Sequence, residues 1–260
     1  MGALVTESGV RLDRDGPVAT VTLCRPHVLN AQTPAMWRQL RSYGRDLPGD
    51  VRVVVVRGEG RAFSAGLDLA ALSAADDPDE FSFPSLAARP TEDVETVIAG
   101  FQEAFAWLRR PDLVSIAEVR GHAIGAGFQL ALACDLRVLA DDAQFTMAEV
   151  ALGLVPDLGG TKRLVELVGY ARALELCVTG RRVPATEAAQ IGLANSVVPV
   201  DGLARAVAEL AAQILAARRD AVVEIKALLA GAAARTFGEQ EAAERAAQVR
   251  RIRDLVGAGE

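Results

Sequence analysis

The chain is poor in residues that several classes of protein need. Its 260 residues include three cysteines, two histidines and 5% aromatic residues. An odd cysteine count without C-x-x-C spacing argues against a disulfide framework and a zinc site, so Cys24, Cys134 and Cys177 are expected in the core. With 28 lysines and arginines and a net charge of -6, the sequence lacks the broad basic surface that nucleic-acid binding requires.

Long apolar segments are also missing. No apolar run reaches the roughly 18 residues of a membrane-spanning helix, and the N-terminus lacks the basic start and hydrophobic stretch of a signal peptide. We therefore expect a cytoplasmic protein with no membrane partner. The 51% hydrophobic content is enough for a sizeable core in one large domain, or in one domain with a helical appendage.

Strand-like and helical patterns alternate along the first part of the chain. This alternation predicts an α/β fold with a mostly parallel sheet and right-handed crossovers. Beyond Gly159 the pattern is almost entirely helical, apart from a short apolar run at 194–198. We expect a core over residues 1–198 and a helical region over residues 199–260 that covers the core or mediates assembly. The expected strands are 18–23, 51–57, 113–119 and 135–139, and the expected helices are 33–47, 94–109, 125–134, 203–218, 221–234 and 238–255.

Two glycine-containing turns about sixty residues apart are the most informative motifs. They read Ala-Phe-Ser-Ala-Gly-Leu-Asp-Leu at 62–69 and Gly-His-Ala-Ile-Gly-Ala-Gly-Phe-Gln at 121–129. Each follows an apolar strand-like run and is predicted to open a helix, whose first N–H groups lack partners and carry the positive end of the helix dipole. Two such groups that converge on one carbonyl oxygen would form an oxyanion hole for an enolate or tetrahedral anion.

The segment at 74–90 does not fit a core, because it combines acidic residues and prolines with Phe81 and Phe83. It is either a solvated loop or a lid whose phenylalanines close over an apolar ligand.

The ordered motifs resemble the crotonase superfamily of enoyl-CoA hydratases and isomerases. The resemblance runs from about residue 10 to residue 198. It implies a β-β-α spiral core, trimers often paired into hexamers, and an acyl-CoA thioester as substrate, with no metal or redox cofactor. Besides the two turns, it rests on Arg25-Pro26, Leu29-Asn30-Ala31, the segment Glu149–Gly160, Thr179-Gly180 and Gly192-Leu193.

The same resemblance assigns roles to individual residues. The Leu67 and Ala126 N–H groups match the family's two oxyanion donors, although glycine is more common at the second position. Ala65 matches a residue whose carbonyl contacts the adenine, and His27 and Val28 fall in the CoA-contacting segment. The full set expected to bind the CoA ester is His27, Val28, Ala65, Gly66, Leu67, Asp68 and Gly125.

The acid–base residues indicate which reaction is favoured. Gln129 stands where hydratases of the family carry one of two water-activating glutamates, and an amide can orient water but cannot exchange its proton at neutral pH. The other glutamate is present as Glu149, and Asp157 resembles the catalytic aspartate of dienoyl-CoA and ring-opening isomerases. Two carboxylates without a second water-activating glutamate favour proton transfer over hydration. Asp157 could instead be the N-cap of a helix that begins near Leu158.

The predicted mechanism is a proton shift. The oxyanion donors lower the energy of the enolate formed when a proton leaves the alpha or gamma carbon, and Glu149 or Asp157 takes and returns it. Apolar neighbours should raise the pKa of the Glu149 carboxyl. A hydratase that uses Glu149 alone and a non-catalytic acyl-CoA binder remain alternatives.

Two weaker motif matches point to other classes. Ser64 with His122 or His27 resembles a hydrolase nucleophile elbow, but no histidine follows His122 in the chain. The Gly125-Ala126-Gly127 turn resembles a dinucleotide fingerprint, but the third glycine is replaced by Leu130.

Lys226 and the arginines at 250, 251 and 253 are candidates for CoA phosphate contacts.

Overall fold

The computed structural model describes residues 8–73 and 82–257. The strands are β1 (Val10–Asp15), β2 (Val18–Leu23), β3 (Val53–Gly58), β4 (Val114–Val119), β5 (His122–Ile124), β6 (Leu136–Ala140), β7 (Gln144–Thr146), β8 (Val183–Pro184) and β9 (Ser196–Val198). The helices are α1 (Pro34–Asp46), α2 (Phe83–Ala87), α3 (Thr91–Ala106), α4 (Ala126–Ala133), α5 (Gly160–Val168), α6 (Tyr170–Thr179), α7 (Ala185–Gln190), α8 (Leu203–Ala216), α9 (Arg219–Ala232) and α10 (Phe237–Leu255). Short 3-10 helices occupy Pro26–Val28, Leu69–Leu72, Trp107–Arg109, Glu149–Leu152 and Val200–Gly202.

The main sheet has six strands in the order β1-β2-β3-β4-β6-β9. β1 and β2 are antiparallel, and all the other neighbours are parallel. A second sheet contains β5, β7 and β8. The expected α/β fold with a mostly parallel sheet is therefore confirmed. The antiparallel β1 and the second sheet were not predicted, because three of these four strands have only two or three residues.

Local sequence explains where α1 begins and which face it buries. The Thr33 hydroxyl accepts the N–H of Met36 at 3.3 Å, and Pro34 fills the first helical position, where no N–H donor is needed. Met36, Trp37 and Leu40 recur at helical spacing and are buried. The helix therefore packs onto the core with Trp37 facing inward.

The chain after the first glycine turn differs from the prediction. Instead of an α-helix, it forms the single 3-10 turn Leu69–Leu72, in which Asp68 caps the N–H of Ala70. The reason is that Gly66 and Asp68 both pair with the backbone of Gln32, so the chain stays extended through Leu67. The helix can begin only beyond that pairing.

The helix after the second turn is α4, as predicted, and it is buried along its whole length. At its C-terminal end the buried Arg137 guanidinium donates to the carbonyls of Ala131 at 3.4 Å and Cys134 at 2.8 Å. These bonds satisfy carbonyls that the helix leaves open, and a cation there favours the helix dipole. The C-terminal end of α4 is therefore held in the core by Arg137.

The C-terminal part is helical, as expected, but its three long helices differ in burial. α8 packs against the sheet through Leu203, Val207 and Ala211. α9 has no buried residue, and α10 buries only Ala247. Among the described residues, no helix is both long and apolar enough to cross a membrane.

Candidate active site

The two glycine turns lie against each other. Gly66 has a φ of +88°, and a Cβ added to it would lie 2.5 Å from the Ile124 carbonyl oxygen and 3.6 Å from the Ala126 nitrogen. Only glycine permits this positive φ and this close approach without strain. Ser64 joins the turns, because its N–H donates to the His122 carbonyl at 2.9 Å and its carbonyl accepts the Ile124 N–H at 3.0 Å.

Among the described residues, the backbone N–H groups of Leu67 and Ala126 donate to no backbone carbonyl. The backbone N–H of Gln32 donates to the Gly66 carbonyl at 2.6 Å, and the backbone carbonyl of Gln32 accepts the Asp68 N–H at 2.8 Å. The intervening Leu67 N–H therefore points away from Gln32. Ala126 is the first residue of α4, where an N–H has no partner within the helix. Within the described part of the chain neither group makes a backbone hydrogen bond, and both residues line one cavity.

Glu149 lies beside these donors, where a Cβ added to Gly125 would be 3.3 Å from its Oε1. Glu149 is the first residue of the 3-10 helix Glu149–Leu152 and is only 8% exposed. Oε1 accepts the amide N–H of Gln129 at 2.7 Å, whereas Oε2 is buried without a hydrogen-bond partner among the described residues. Burial raises the pKa of this carboxyl, the Gln129 bond opposes the rise, and the charge of Asp157 adds to it.

Gln129 holds Glu149 and is not free to move. Its amide oxygen accepts the N–H groups of Leu158 at 2.9 Å and Gly160 at 3.2 Å, which fixes Nε2 toward Glu149. The side chain is buried and joins α4, Glu149 and the start of α5. Its orientation follows from its partners, because backbone N–H groups can only donate.

Asp157 lies on the cavity wall and does not cap a helix. α5 begins at Gly160 rather than near Leu158, its N-cap is Gly159, and no side chain caps it. The Asp157 backbone carbonyl accepts Nε2 of Gln102 at 2.7 Å, while burial raises the pKa of its carboxyl. The helix-cap interpretation is therefore wrong, because Gly159 holds the N-cap position and Gly160 is the first residue of α5.

The cavity has a volume of about 710 Å³ and a mostly apolar wall. It contains Leu67, Ala126, Gln129, Glu149 and Asp157 together. Several wall residues come from helices whose sequence gave no functional signal, since their apolar residues have the spacing of any core-facing helix. These wall residues are Trp37 on α1 and Ile98 and Phe101 on α3.

Phe83 bears on the lid hypothesis, because it lies on this wall as a lid residue would. Phe81 and most of the acidic part of that segment lie outside the described residues, so the lid stays a hypothesis.

The residues expected to bind the CoA ester lie around the first turn, except Gly125, which lies in the second. His27 and Val28 are exposed on the 3-10 helix Pro26–Val28, and the next residue, Leu29, accepts the Ala65 N–H at 2.8 Å. Asp68 accepts the guanidinium of Arg25 at 2.9 Å. Gly66, Leu67, Asp68 and Gly125 line the cavity with Ala65, whereas His27 and Val28 lie outside its wall.

One other sequence interpretation fails, and one candidate residue lies away from the cavity. The Ser64 hydroxyl is fully buried and bonds to the Asn30 carbonyl, the Gln32 amide and the Gly66 N–H, so it is not the nucleophile of a serine hydrolase. Lys226 bonds to the Leu113 carbonyl and Asp135, each at 2.7 Å. It lies in a second concavity of about 1030 Å³ against α8 and α9, which none of the predicted catalytic residues lines.

Comparison with known proteins agrees with this arrangement. The model of the enoyl-CoA hydratase/isomerase family matches residues 13–254. Two solved structures of a Thermobifida fusca YX protein assigned as an enoyl-CoA hydratase, one with CoA and one with acetoacetyl-CoA, have TM-scores of 0.91. Their sequence identities are 50% and 51%, and the alignments cover 96% and 95% of this chain and 95% and 96% of theirs.

Relatives of known description carry two different names. A Mycobacterium bovis protein assigned as the enoyl-CoA hydratase echA8 is 33% identical over 217 residues, which is 82% of this chain and 78% of the relative. The carnitinyl-CoA dehydratase of Salmonella arizonae is 38% identical over 221 residues, or 84% and 78% of the two chains. The dinucleotide-binding alternative is excluded by this agreement of sequence and fold. The chain belongs to the enoyl-CoA hydratase/isomerase family, within the crotonase superfamily that its ordered motifs resemble.

Proposed function

We propose that the protein is an acyl-CoA enzyme that shifts protons and double bonds in enoyl-CoA or dienoyl-CoA esters. The observation that carries the proposal is the buried Glu149 carboxyl: among the described residues its Oε2 has no hydrogen-bond partner, and it lies beside two N–H groups that make no backbone hydrogen bond. Solved relatives that bind CoA and acetoacetyl-CoA support an acyl-CoA ligand for this cavity.

The Leu67 and Ala126 N–H groups form the oxyanion hole in this proposal. The thioester oxygen accepts both hydrogen bonds, and these bonds strengthen as the oxygen gains charge in the enolate. Burial of α4 keeps water away from the donors, so the interaction is stronger than at an exposed helix end.

Glu149 carries the main proton transfer. In a 3-enoyl ester, its Oε2 takes the alpha proton, and the electron pair of the broken C–H bond passes into the thioester as an enolate conjugated with the 3,4 double bond. A proton then binds the gamma carbon from Glu149 or Asp157, the electron pair of the old double bond forms that C–H bond, and a 2-enoyl ester results. A pKa raised by burial makes Glu149 a stronger base than an exposed glutamate.

A hydratase is the second candidate. The names of the relatives favour it, since they include enoyl-CoA hydratases and a carnitinyl-CoA dehydratase. Gln129 argues against a hydratase. Its amide oxygen accepts two backbone N–H groups and its amide nitrogen donates to Glu149, so the amide oxygen is not available to hold a water. A hydratase would have to activate water through Glu149 without a second glutamate.

Two further parts of the proposal concern CoA and assembly. His27, Val28, Ala65 and Asp68 contact the CoA portion at the first turn. The exposed apolar side chains of α9 and α10, among them Ile225, Leu229, Phe237 and Ile252, form an assembly surface of a homotrimer or homohexamer, with residues 199–260 as the helical region. Light scattering on the purified protein tests this, and a monomer would contradict it.

The function is tested by incubation with 2-enoyl-, 3-enoyl- and dienoyl-CoA esters. Mass spectrometry detects the gain of one water on hydration, and ultraviolet absorbance detects migration of the double bond. In the native protein, double-bond migration should be faster than hydration, and it should be lost in Glu149→Gln. Glu118→Gln is the matched control, because Glu118 is another carboxyl whose pKa burial raises but which lies on β4, outside the cavity wall. Faster hydration would favour the hydratase, and no turnover of any ester would favour a non-catalytic binder.

A further inference from the structure

A chain of buried polar side chains supports the turn that carries Leu67. Asn30, Gln32 and Ser64 are each fully buried, and none of them takes part in the proton transfer proposed above. Burial of three neutral polar side chains is costly unless every one is hydrogen-bonded. Their bonds are therefore a stable feature of the site.

Ser64 is the centre of this chain. Its hydroxyl donates to the Asn30 carbonyl at 2.9 Å, which can only accept, so its lone pairs face the Gln32 amide at 3.0 Å and the Gly66 N–H at 3.1 Å. The Gly66 bond fixes the Ala65–Gly66 peptide, which immediately precedes the peptide that carries the Leu67 N–H. Because the Ser64 backbone also pairs with β5, one residue positions both turns.

Gln32 continues the chain in two ways. Its backbone pairs with Gly66 and Asp68, the two residues that flank Leu67. Its side-chain Nε2 donates to Ser64, while its Oε1 accepts the indole N–H of Trp37 at 2.7 Å. Since an indole N–H can only donate, Trp37 sets the orientation of the Gln32 amide and hence the donor that faces Ser64.

Trp37 ends the chain at the cavity wall. Its ring packs on Phe101 with centroids 4.7 Å apart and on Phe105 at 6.3 Å, which holds the indole in place. We infer that Trp37, Gln32 and Ser64 are positioning residues that aim the Leu67 N–H at the thioester oxygen. This inference deepens the proposed function and rests on the oxyanion role given there to Leu67.

The experiment compares two ligands of equal acyl length. Acetoacetyl-CoA presents an enolate to the two N–H donors, whereas butyryl-CoA fills the same space without one. The ratio of their Kd values, measured by calorimetry, reports oxyanion binding and cancels effects on the cavity wall. Trp37→Phe keeps an aromatic ring but removes the N–H. Trp107→Phe is the matched control, because Trp107 is the other tryptophan and its indole nitrogen has no hydrogen-bond partner in the described structure.

The wild type and Trp107→Phe should prefer acetoacetyl-CoA strongly. Trp37→Phe should lower that preference by about fivefold, since one buried hydrogen bond is lost, and should lower kcat more than KM. Ser64→Ala should lower it further, because the Gly66 and Gln32 donors both lose their acceptor. Equal weakening of both ligands, or an unchanged ratio in Trp37→Phe, would overturn the positioning role even if Ser64→Ala does not fold. Absence of any preference in the wild type would overturn the oxyanion role of Leu67 and this inference with it.

Discussion

Replacing Gln129 with glutamate is the sharpest test of the acid–base chemistry. The new carboxyl would take the place of an amide whose nitrogen lies 2.7 Å from Glu149 Oε1, and both side chains are buried. Two negative charges at that separation repel by about 6 kcal/mol at an effective dielectric constant of about 20. The pair must therefore retain one proton at neutral pH, as two adjacent carboxyls do.

A shared proton changes which reaction the site can perform. The N–H groups of Leu158 and Gly160 would stabilise one oxygen of the new carboxylate, so the proton lies between its other oxygen and Glu149. The site then holds an acid and a base side by side, as water addition requires. We expect the ratio of hydration to double-bond migration to rise by about 10-fold or more in Gln129→Glu, since general acid–base catalysis contributes at least that much.

The assay measures hydration and migration on the same 2-enoyl and 3-enoyl esters as a function of pH. The pH at which the rate falls should be higher in Gln129→Glu. Removing the shared proton would leave two repelling negative charges, which raises the pKa of that step. Gln129→Met is the control of similar length, which can neither donate to Glu149 nor carry a proton. A ratio that stays unchanged in a folded Gln129→Glu protein would refute the assignment of water activation to this position.

Three further predictions follow from the same geometry. Glu149→Gln should reduce turnover by about 100-fold or more with little change in affinity for acetoacetyl-CoA, whereas Glu118→Gln should leave both unchanged; steady-state kinetics and calorimetry check this. Burial raises the pKa of Asp157, so its protonated form stabilises the fold at low pH and that stability is lost as the pH rises through the folded-state pKa. Asp157→Asn should therefore melt higher than the wild type at pH 7, with a difference that shrinks toward pH 4, and a lower melting temperature at pH 7 would contradict it. Acyl-CoA binding should change the fluorescence of Trp37, so the signal should persist in Trp107→Phe and vanish in Trp37→Phe.

The sequence predicted the long elements well because each carries its own local signal. Thr33 and Pro34 mark the start of α1, and the valine run of β3 is typical of a strand buried on both faces. The short strands β5, β7 and β8 carry too few residues for any periodicity. Their pairing depends on contacts between distant segments, such as His122 with Gln144, which no local pattern reports.

The candidate site was predicted in part. Leu67, Ala126, Gln129, Glu149 and Asp157 line one cavity, as the motif order indicated. The indole of Trp37 was missed, because a tryptophan on the apolar face of a helix has the same pattern whether it faces the core or a ligand. The role of Gln129 was also incomplete, since the sequence reveals an amide but not the three partners that fix its orientation.

The division between backbone and side-chain functions explains why the family is easier to recognise than the reaction. Ala126 contributes a backbone N–H, so alanine serves at a position where glycine is more common. Gln129 lies one turn further along α4, on the same face as Ala126. It contributes through its side chain, whose amide nitrogen donates to Glu149. In the proposed function, a substitution at 126 that keeps a backbone N–H keeps the oxyanion donor, whereas Gln129→Glu adds a group that can carry a proton. In the proposed function, the backbone donors of the two turns bind the acyl-CoA thioester, and the carboxyls of Glu149 and Asp157, with the amide of Gln129 between α4 and Glu149, determine which reaction follows.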